Sequence, residues 1–327
     1  MSILPKLQVG DEVRIVAPSN SLKLISGENI QLATQKLERL GLKVSFAKNV
    51  NECDEFMSSS VASRVEDLHE AFADKNVKMI MPVIGGYNCN QLLKHLDYDL
   101  IKKNPKFLGG FSDTTALHNA IFAKTGLTTF QSPAFSTFAK LRNNEYVMEY
   151  FQKCFFESGG SEYEILPSEK WDDDTWFLDQ QNYELFENEG FWFLQGNFEN
   201  EIKGQIIGGN LGTLRLLQGT EFFPKIEGDA ILFLEECAPS KAVDFERELQ
   251  SVLHLPFFSQ VKGLVLGRFQ RESKVSREVL SKIISSKKEL QNIPVIANLD
   301  FGHTYPAFSF PIGGRCRIEK GRVWVDV

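Results

Sequence analysis

Three times in its first third the chain runs through an apolar, strand-length stretch, stops at glycine or Pro-Ser, and turns to helical periodicity. Val13–Ala17 stops at Pro18-Ser19-Asn20, before a helical pattern over Gly27–Leu40 and a returning strand at Lys43–Phe46. Val77–Ile84 stops at Gly85-Gly86, before a short helix Asn88–Leu96 that Asn88 would cap. Lys106–Leu108 stops at Gly109-Gly110-Phe111-Ser112, with Asp113–Lys124 as the helix after it, and Ser60–Ala73 is a further amphipathic helix. Strands that are apolar on both faces and alternate with helices imply a parallel sheet covered on both sides. Such a sheet collects its ligands at the strand C-termini, so a site is expected where these runs stop.

The second half is richer in strands, at Ala230–Leu234, Gly263–Arg268, Val295–Leu299 and a final pair around Gly321, with one clear helix near Ala242–Leu253. A length of 327 residues fits about two domains. Between the halves, residues 161–200 hold eleven acidic residues against one Lys, and three of the four Trp (Trp171, Trp176, Trp192). The expected organisation is an N-terminal parallel-sheet α/β domain (1–160), an acidic Trp-rich connecting segment or lid (161–200), and a C-terminal β-rich α/β domain (201–327). A net charge of −7 argues against a nucleic-acid polymer as partner. Five scattered Cys without C-x-x-C point to neither a disulfide framework nor a zinc ribbon. No stretch reaches the ~18 apolar residues of a membrane span and the start lacks a signal-peptide pattern. No membrane association and a cytoplasmic location are therefore expected.

Neither G-x-G-x-x-G nor G-x-x-x-x-G-K-[ST] occurs, there is no H-E-x-x-H, and the five His are scattered, so no cofactor or metal is expected. Ser112 occupies a turn between a strand and a helix. That layout exposes a hydroxyl and aims helix N–H groups at developing negative charge. Ser, Asp and Thr are also ordinary N-caps, so this segment alone leaves capping and nucleophile both open. A serine nucleophile needs a base, and the base needs an orienting carboxylate. Two strand ends offer them: Leu234 runs into Glu235-Glu236, and Leu299-Asp300-Phe301-Gly302 leads to His303. Glycines at Gly85-Gly86-Tyr87 would let backbone N–H groups approach a ligand, as an oxyanion hole requires; a tight turn explains them equally well. A two-domain, non-catalytic small-molecule binding protein fits the same organisation. So does a glutaminase-type enzyme using Cys89, although Cys89 sits inside a predicted helix.

Six motifs in order resemble the LD-carboxypeptidase family of serine peptidases: VRIVAPSN from Val13, IGGYNCNQLL (Ile84–Leu93), FLGGFSDTTALHNAIFAKTG (Phe107–Gly126), IIGGNLGTL (Ile206–Leu214), LFLEE (Leu232–Glu236) and DFGHTYPAFSFPIG (Asp300–Gly313). The resemblance implies a Ser112–Glu235–His303 triad, an oxyanion hole from the N–H groups of Gly86 and Asp113, no metal, and a homodimer. Glu236 stands where the family usually has Asp. Two branches differ in substrate. Murein enzymes remove a terminal D-alanine from tetrapeptides and usually read G-G-Y-G. The Gly85-Gly86-Tyr87-Asn88-Cys89-Asn90 of this chain and its Trp171-Asp172-Asp173-Asp174 are closer to the microcin C immunity branch. That branch cuts the amide of a peptidyl- or aminoacyl-nucleotide. Substrate contacts would then fall to Gly85, Tyr87 and Asn88, and to Trp171, Trp176 or Trp192 stacking on a base. The acidic run Asp172–Asp174 would repel a phosphate unless Lys or Arg from another element offsets it.

Overall fold

The computed structural model describes residues 4–157 and 162–326. The N-terminal half runs β1 (Glu12–Val16), α1 (Gly27–Arg39), β2 (Lys43–Phe46), α2 (Val61–Ala73), β3 (Val77–Pro82), α3 (Tyr98–Lys103), β4 (Phe107–Leu108) and α4 (Thr115–Thr125). Its four strands form one parallel sheet in the order β2-β1-β3-β4. Five of the six β3 residues are buried, as a strand covered on both faces requires. Ser26 and Ser60 accept the Asn29 and Ser63 N–H groups to cap α1 and α2, each cap stabilising by roughly 1 kcal/mol. The chain leaves β1 on one side and returns on the other, so the crevice at the switch point opens between β1 and β3.

The remainder adds β5 (Thr129–Gln131), α5 (Glu145–Phe155), β6 (Glu162–Ile165), β7 (Lys170–Trp171), β8 (Phe186–Glu187), β9 (Trp192–Gln195), β10 (Ile202–Asn210), α6 (Leu211–Arg215), β11 (Ala230–Glu235), α7 (Ala242–Leu253), β12 (Val261–Gly267), α8 (Arg277–Ser285), β13 (Val295–Leu299), β14 (Phe310–Ile312), β15 (Arg315–Glu319) and β16 (Arg322–Asp326). Eight strands join as β6-β16-β15-β10-β11-β12-β13-β9. The central run β10-β11-β12-β13 is parallel and its flanks are antiparallel. One face packs α7 and α8 through Phe245, Leu249, Leu280 and Ile284. The other buries an aromatic layer of Phe233, Phe301, Phe308 and Phe310. The fold is thus the expected pairing of an N-terminal parallel-sheet α/β unit with a β-rich α/β C-terminal unit.

Some local expectations change. The acidic segment supplies both edge strands of the large sheet, β6 against β16 and β9 against β13. It is built into the C-terminal sheet, and is less a free lid than its composition implied. The helix expected over Asn88–Leu96 is only a 3-10 turn, Cys89–Leu92, and the Asn88 side chain makes no cap. Two antiparallel strands, β5 and β14, tie the halves together. Asn119 Nδ2 donates to the Gly208 carbonyl (2.8 Å), and the Asn210 N–H donates to Thr115 Oγ1 (3.0 Å). The end of β10 is thereby seated on the start of α4.

Candidate active site

Ser112 follows β4 in a single 3-10 turn and holds φ +63, a left-handed backbone that a serine adopts only under constraint. The constraint comes from below. His118, fully buried on α4, places Nε2 3.0 Å from the Gly110 carbonyl, and burial pushes its pKa down to about 4. It is therefore a neutral packing residue that fixes the strand end before the turn.

Glu235 closes β11 and is 1% exposed. His303 follows β13. Its Nδ1 lies 2.6 Å from Glu235 Oε2, and its Nε2 lies 3.0 Å from Ser112 Oγ. Residues separated by 191 and 68 positions in the chain meet through one imidazole. Facing the Glu235 carboxylate, Nδ1 carries the proton, so Nε2 is left to accept from the serine hydroxyl. Burial disfavours a charged His303, but the charge and hydrogen bond of Glu235, with Glu236 behind it, outweigh burial and raise its pKa. Burial, and then the neighbouring Glu235 charge, push the Glu236 pKa up. Glu236 points away from His303: it accepts from Asn210 Nδ2, Gly212 N and Cys237 N. Gly302, at φ +101, lets the His303 loop lie against Glu235, since a Cβ there would sit 2.6 Å from Glu235 Oε2.

Gly85 adjoins the serine, where a Cβ would stand 3.1 Å from Ser112 Oγ and 3.9 Å from the Asp113 nitrogen. Neither the Gly86 nor the Asp113 N–H has a hydrogen-bond partner among the described residues. Asp113 also works through its side chain, a role the sequence reading missed. Its Oδ2 accepts from Ser19 Oγ (2.6 Å) and from the Asn88 and Cys89 N–H groups (2.8 Å each). Tyr87 is 78% exposed beside this loop, whereas Asn88 turns Oδ1 inward to Ser19, Ser58 and Arg64. Cys89 is buried, and burial raises its thiol pKa well above the ordinary value, which disqualifies it as a nucleophile.

The three Trp part company. Trp171, half-buried in the β7–β8 hairpin, lies over the Arg268 guanidinium at 5.1 Å. Arg268 in turn pairs with the buried Asp300 at 2.6 Å, three residues before His303. Trp176 is 4% exposed and packs edge-on against Tyr305. Trp192 lies on β9 and packs into the helix-side core, so the structure does not bring it together with the triad. The acidic run is offset as well. Lys140 binds Asp172 at 2.5 Å with both side chains buried, and Arg271 binds Asp173 and Asp174 at 2.7 and 3.0 Å.

A strained serine on a strand–turn–helix, an imidazole on its hydroxyl and a buried carboxylate on the imidazole define the class, an α/β serine hydrolase. The chain belongs to the LD-carboxypeptidase family: the family's N-terminal domain matches residues 13–132 and its C-terminal domain residues 203–318. It is 50% identical to YocD of Bacillus subtilis, a protein assigned as a carboxypeptidase, over 98% of both chains. Identity to the Microcin C7 self-immunity protein MccF of Escherichia coli is 32%, over 96% of this chain and 92% of that one. A solved complex of MccF with glutamyl sulfamoyl guanosine superimposes with a TM-score of 0.87 at 29% identity, covering 98% and 97% of the chains. An MccF-like protein from Bacillus anthracis reaches a TM-score of 0.95 at 47% identity, with full coverage of both. No helix among the described residues is long and apolar enough to cross a membrane.

Proposed function

We propose that this enzyme hydrolyses the amide of an aminoacyl- or peptidyl-nucleotide through Ser112, His303 and Glu235. His303 Nε2 takes the Ser112 proton as Oγ attacks the carbonyl carbon, and returns it to the leaving nitrogen. Glu235 holds the tautomer and stabilises the imidazolium. The N–H groups of Gly86 and Asp113 receive the oxyanion, each donor lowering the barrier by about 3–4 kcal/mol. Water then hydrolyses the acyl-serine by the same proton path. The observation that carries this reading is His303 bridging Glu235 at 2.6 Å and Ser112 at 3.0 Å. A homodimer is part of the proposal, on the family's precedent.

The nucleotide branch is preferred for three reasons. Trp171 presents a partly exposed ring, and Lys140 and Arg271 offset two of the three charges in the run that would repel a phosphate. MccF itself has been solved with an aminoacyl sulfamoyl nucleoside. Purified enzyme should cleave an aminoacyl sulfamoyl adenosine in preference to a murein tetrapeptide, Ser112→Ala should abolish that activity, and Trp171→Ala should cost roughly 1–3 kcal/mol in kcat/KM for the nucleotide alone. Release of D-alanine from the tetrapeptide with no cleavage of the nucleotide conjugate would place the chain in the murein branch.

A further inference from the structure

Arg64 projects from α2 and is 2% exposed, yet every partner of its guanidinium is a neutral oxygen. Nη1 donates to the Pro18 carbonyl, the Asn88 carbonyl and Asn88 Oδ1, each at 3.1 Å, and Nη2 donates to Gln91 Oε1 at 2.7 Å. Pro18 follows β1 and Asn88 follows β3, so a single guanidinium nitrogen, Nη1, joins the two loops that flank the switch point, while Nη2 holds Gln91. A buried cation with no carboxylate in hydrogen-bond contact is costly, and an apolar side chain would pack α2 without that penalty. The cation has purchase elsewhere. The same Asn88 delivers its N–H to Asp113 Oδ2, and Ser19, next to Pro18, delivers its hydroxyl to that oxygen. Arg64 therefore holds from beneath the two loops that Asp113 clasps from above, and Asp113 is the residue after Ser112.

The Gly86 donor lies on the β3 loop and the Asp113 donor on the turn after β4. The Asp113 carboxylate seats that turn on the β1 and β3 loops that Arg64 joins, so the distance between the two N–H groups depends on how those loops are held. We propose that Arg64 is a positioning residue that sets the spacing of the oxyanion hole, a role that rests on the serine-hydrolase reading above. Lysine can reproduce it only in part, since one ammonium in place of Nη1 cannot also reach Gln91 in the fixed plane of the guanidinium.

The test uses the full-length enzyme and the variants Arg64→Lys and Arg64→Met, with two readouts. One is kcat and KM on an aminoacyl sulfamoyl adenosine. The other is the rate at which a fluorophosphonate labels Ser112, where the Oγ–P bond forms, fluoride leaves and the proton passes to His303. Arg64→Met should lower both kcat and the labelling rate about 10²-fold, in the range seen on losing one oxyanion donor. Arg64→Lys should fall between it and wild type, and KM and the ascending pH limb that reports His303 losing its proton should hold. Wild-type kcat and labelling in a folded Arg64→Met, or an effect confined to KM, overturns the proposal. If Arg64→Met does not fold, Arg64→Lys and Asn88→Ala, which removes the Oδ1 acceptor, must show the kcat loss or the proposal fails. A wild-type enzyme that neither labels nor hydrolyses, and so matches Ser112→Ala, overturns the serine reading and this inference with it.

Discussion

Replacing Glu235 by glutamine keeps its shape and removes its charge, and the structure predicts which way the new amide turns. Oε2 faces His303 Nδ1 at 2.6 Å, while Oε1 is buried with no hydrogen-bond partner among the described residues. If the new amide presented its carbonyl to His303, its NH2 would occupy the partnerless position, costing about 1–3 kcal/mol for an unmet buried donor. The opposite orientation donates from NH2 to an unprotonated Nδ1 and moves the ring proton to Nε2, where it cannot accept from Ser112 Oγ. That preference alone is worth roughly 5- to 150-fold against the productive tautomer. Losing the carboxylate that stabilises the imidazolium adds to it, for an overall fall in kcat of about 10⁴ with KM little changed. The pH profile supplies a second, signed readout. Burial lowers the His303 pKa and Glu235 is the main influence raising it. In Glu235→Gln burial is left with less opposition, so the limb of kcat/KM that reports His303 losing its proton moves to lower pH. A variant retaining a tenth of wild-type kcat, or a limb that moves up, would refute the orienting role of Glu235.

Gly302→Ala puts a methyl 2.6 Å from Glu235 Oε2 at φ +101; it should cost roughly 10²-fold in kcat by displacing the Glu–His pair, with the circular dichroism spectrum unchanged. Lys140→Met strands the buried Asp172 carboxylate and should destabilise by about 3–5 kcal/mol in urea melts, with Lys140→Met/Asp172→Leu recovering much of the loss. A single-mutant cost below about 1 kcal/mol would show that the pair does not anchor the acidic segment.

The parallel sheet and the three positions of the proposed triad are legible because buried strands read as apolar runs, and Ser112, Glu235 and His303 each stand where such a run stops. Acidic residues interrupt the apolar pattern of β6, and β9 is a four-residue run inside an acidic stretch, so both read as connection although they are the edges of the large sheet. Apolar patterning also says nothing about which way a polar side chain turns. Asn88 has the look of a cap and points inward to Arg64. Trp192, beside two other Trp in sequence, faces the helix-side core. Arg64 gives no signal, because a charged residue at an amphipathic helix position reads as solvated until the neighbouring loops are in place.

At Asp172 the acidic segment acts through geometry, not through a field. Asp172 pairs with Lys140, and its backbone exchanges two 2.8 Å hydrogen bonds with Tyr305, two residues past His303. On the near side of His303, Asp300 takes the Ser168 N–H and hydroxyl from the segment, and Arg268 from β12's end. The loop carrying the imidazole is therefore gripped at both ends by the same stretch, through carboxylates that are 0% exposed. Buried ion pairs add little net stability, and hydrophobic replacements often do as well. They do fix one arrangement, since a shifted loop would leave a charge unpaired. A proposed base that would accept a proton at 3.0 Å from a serine in another sheet requires that kind of fixing more than it requires stability.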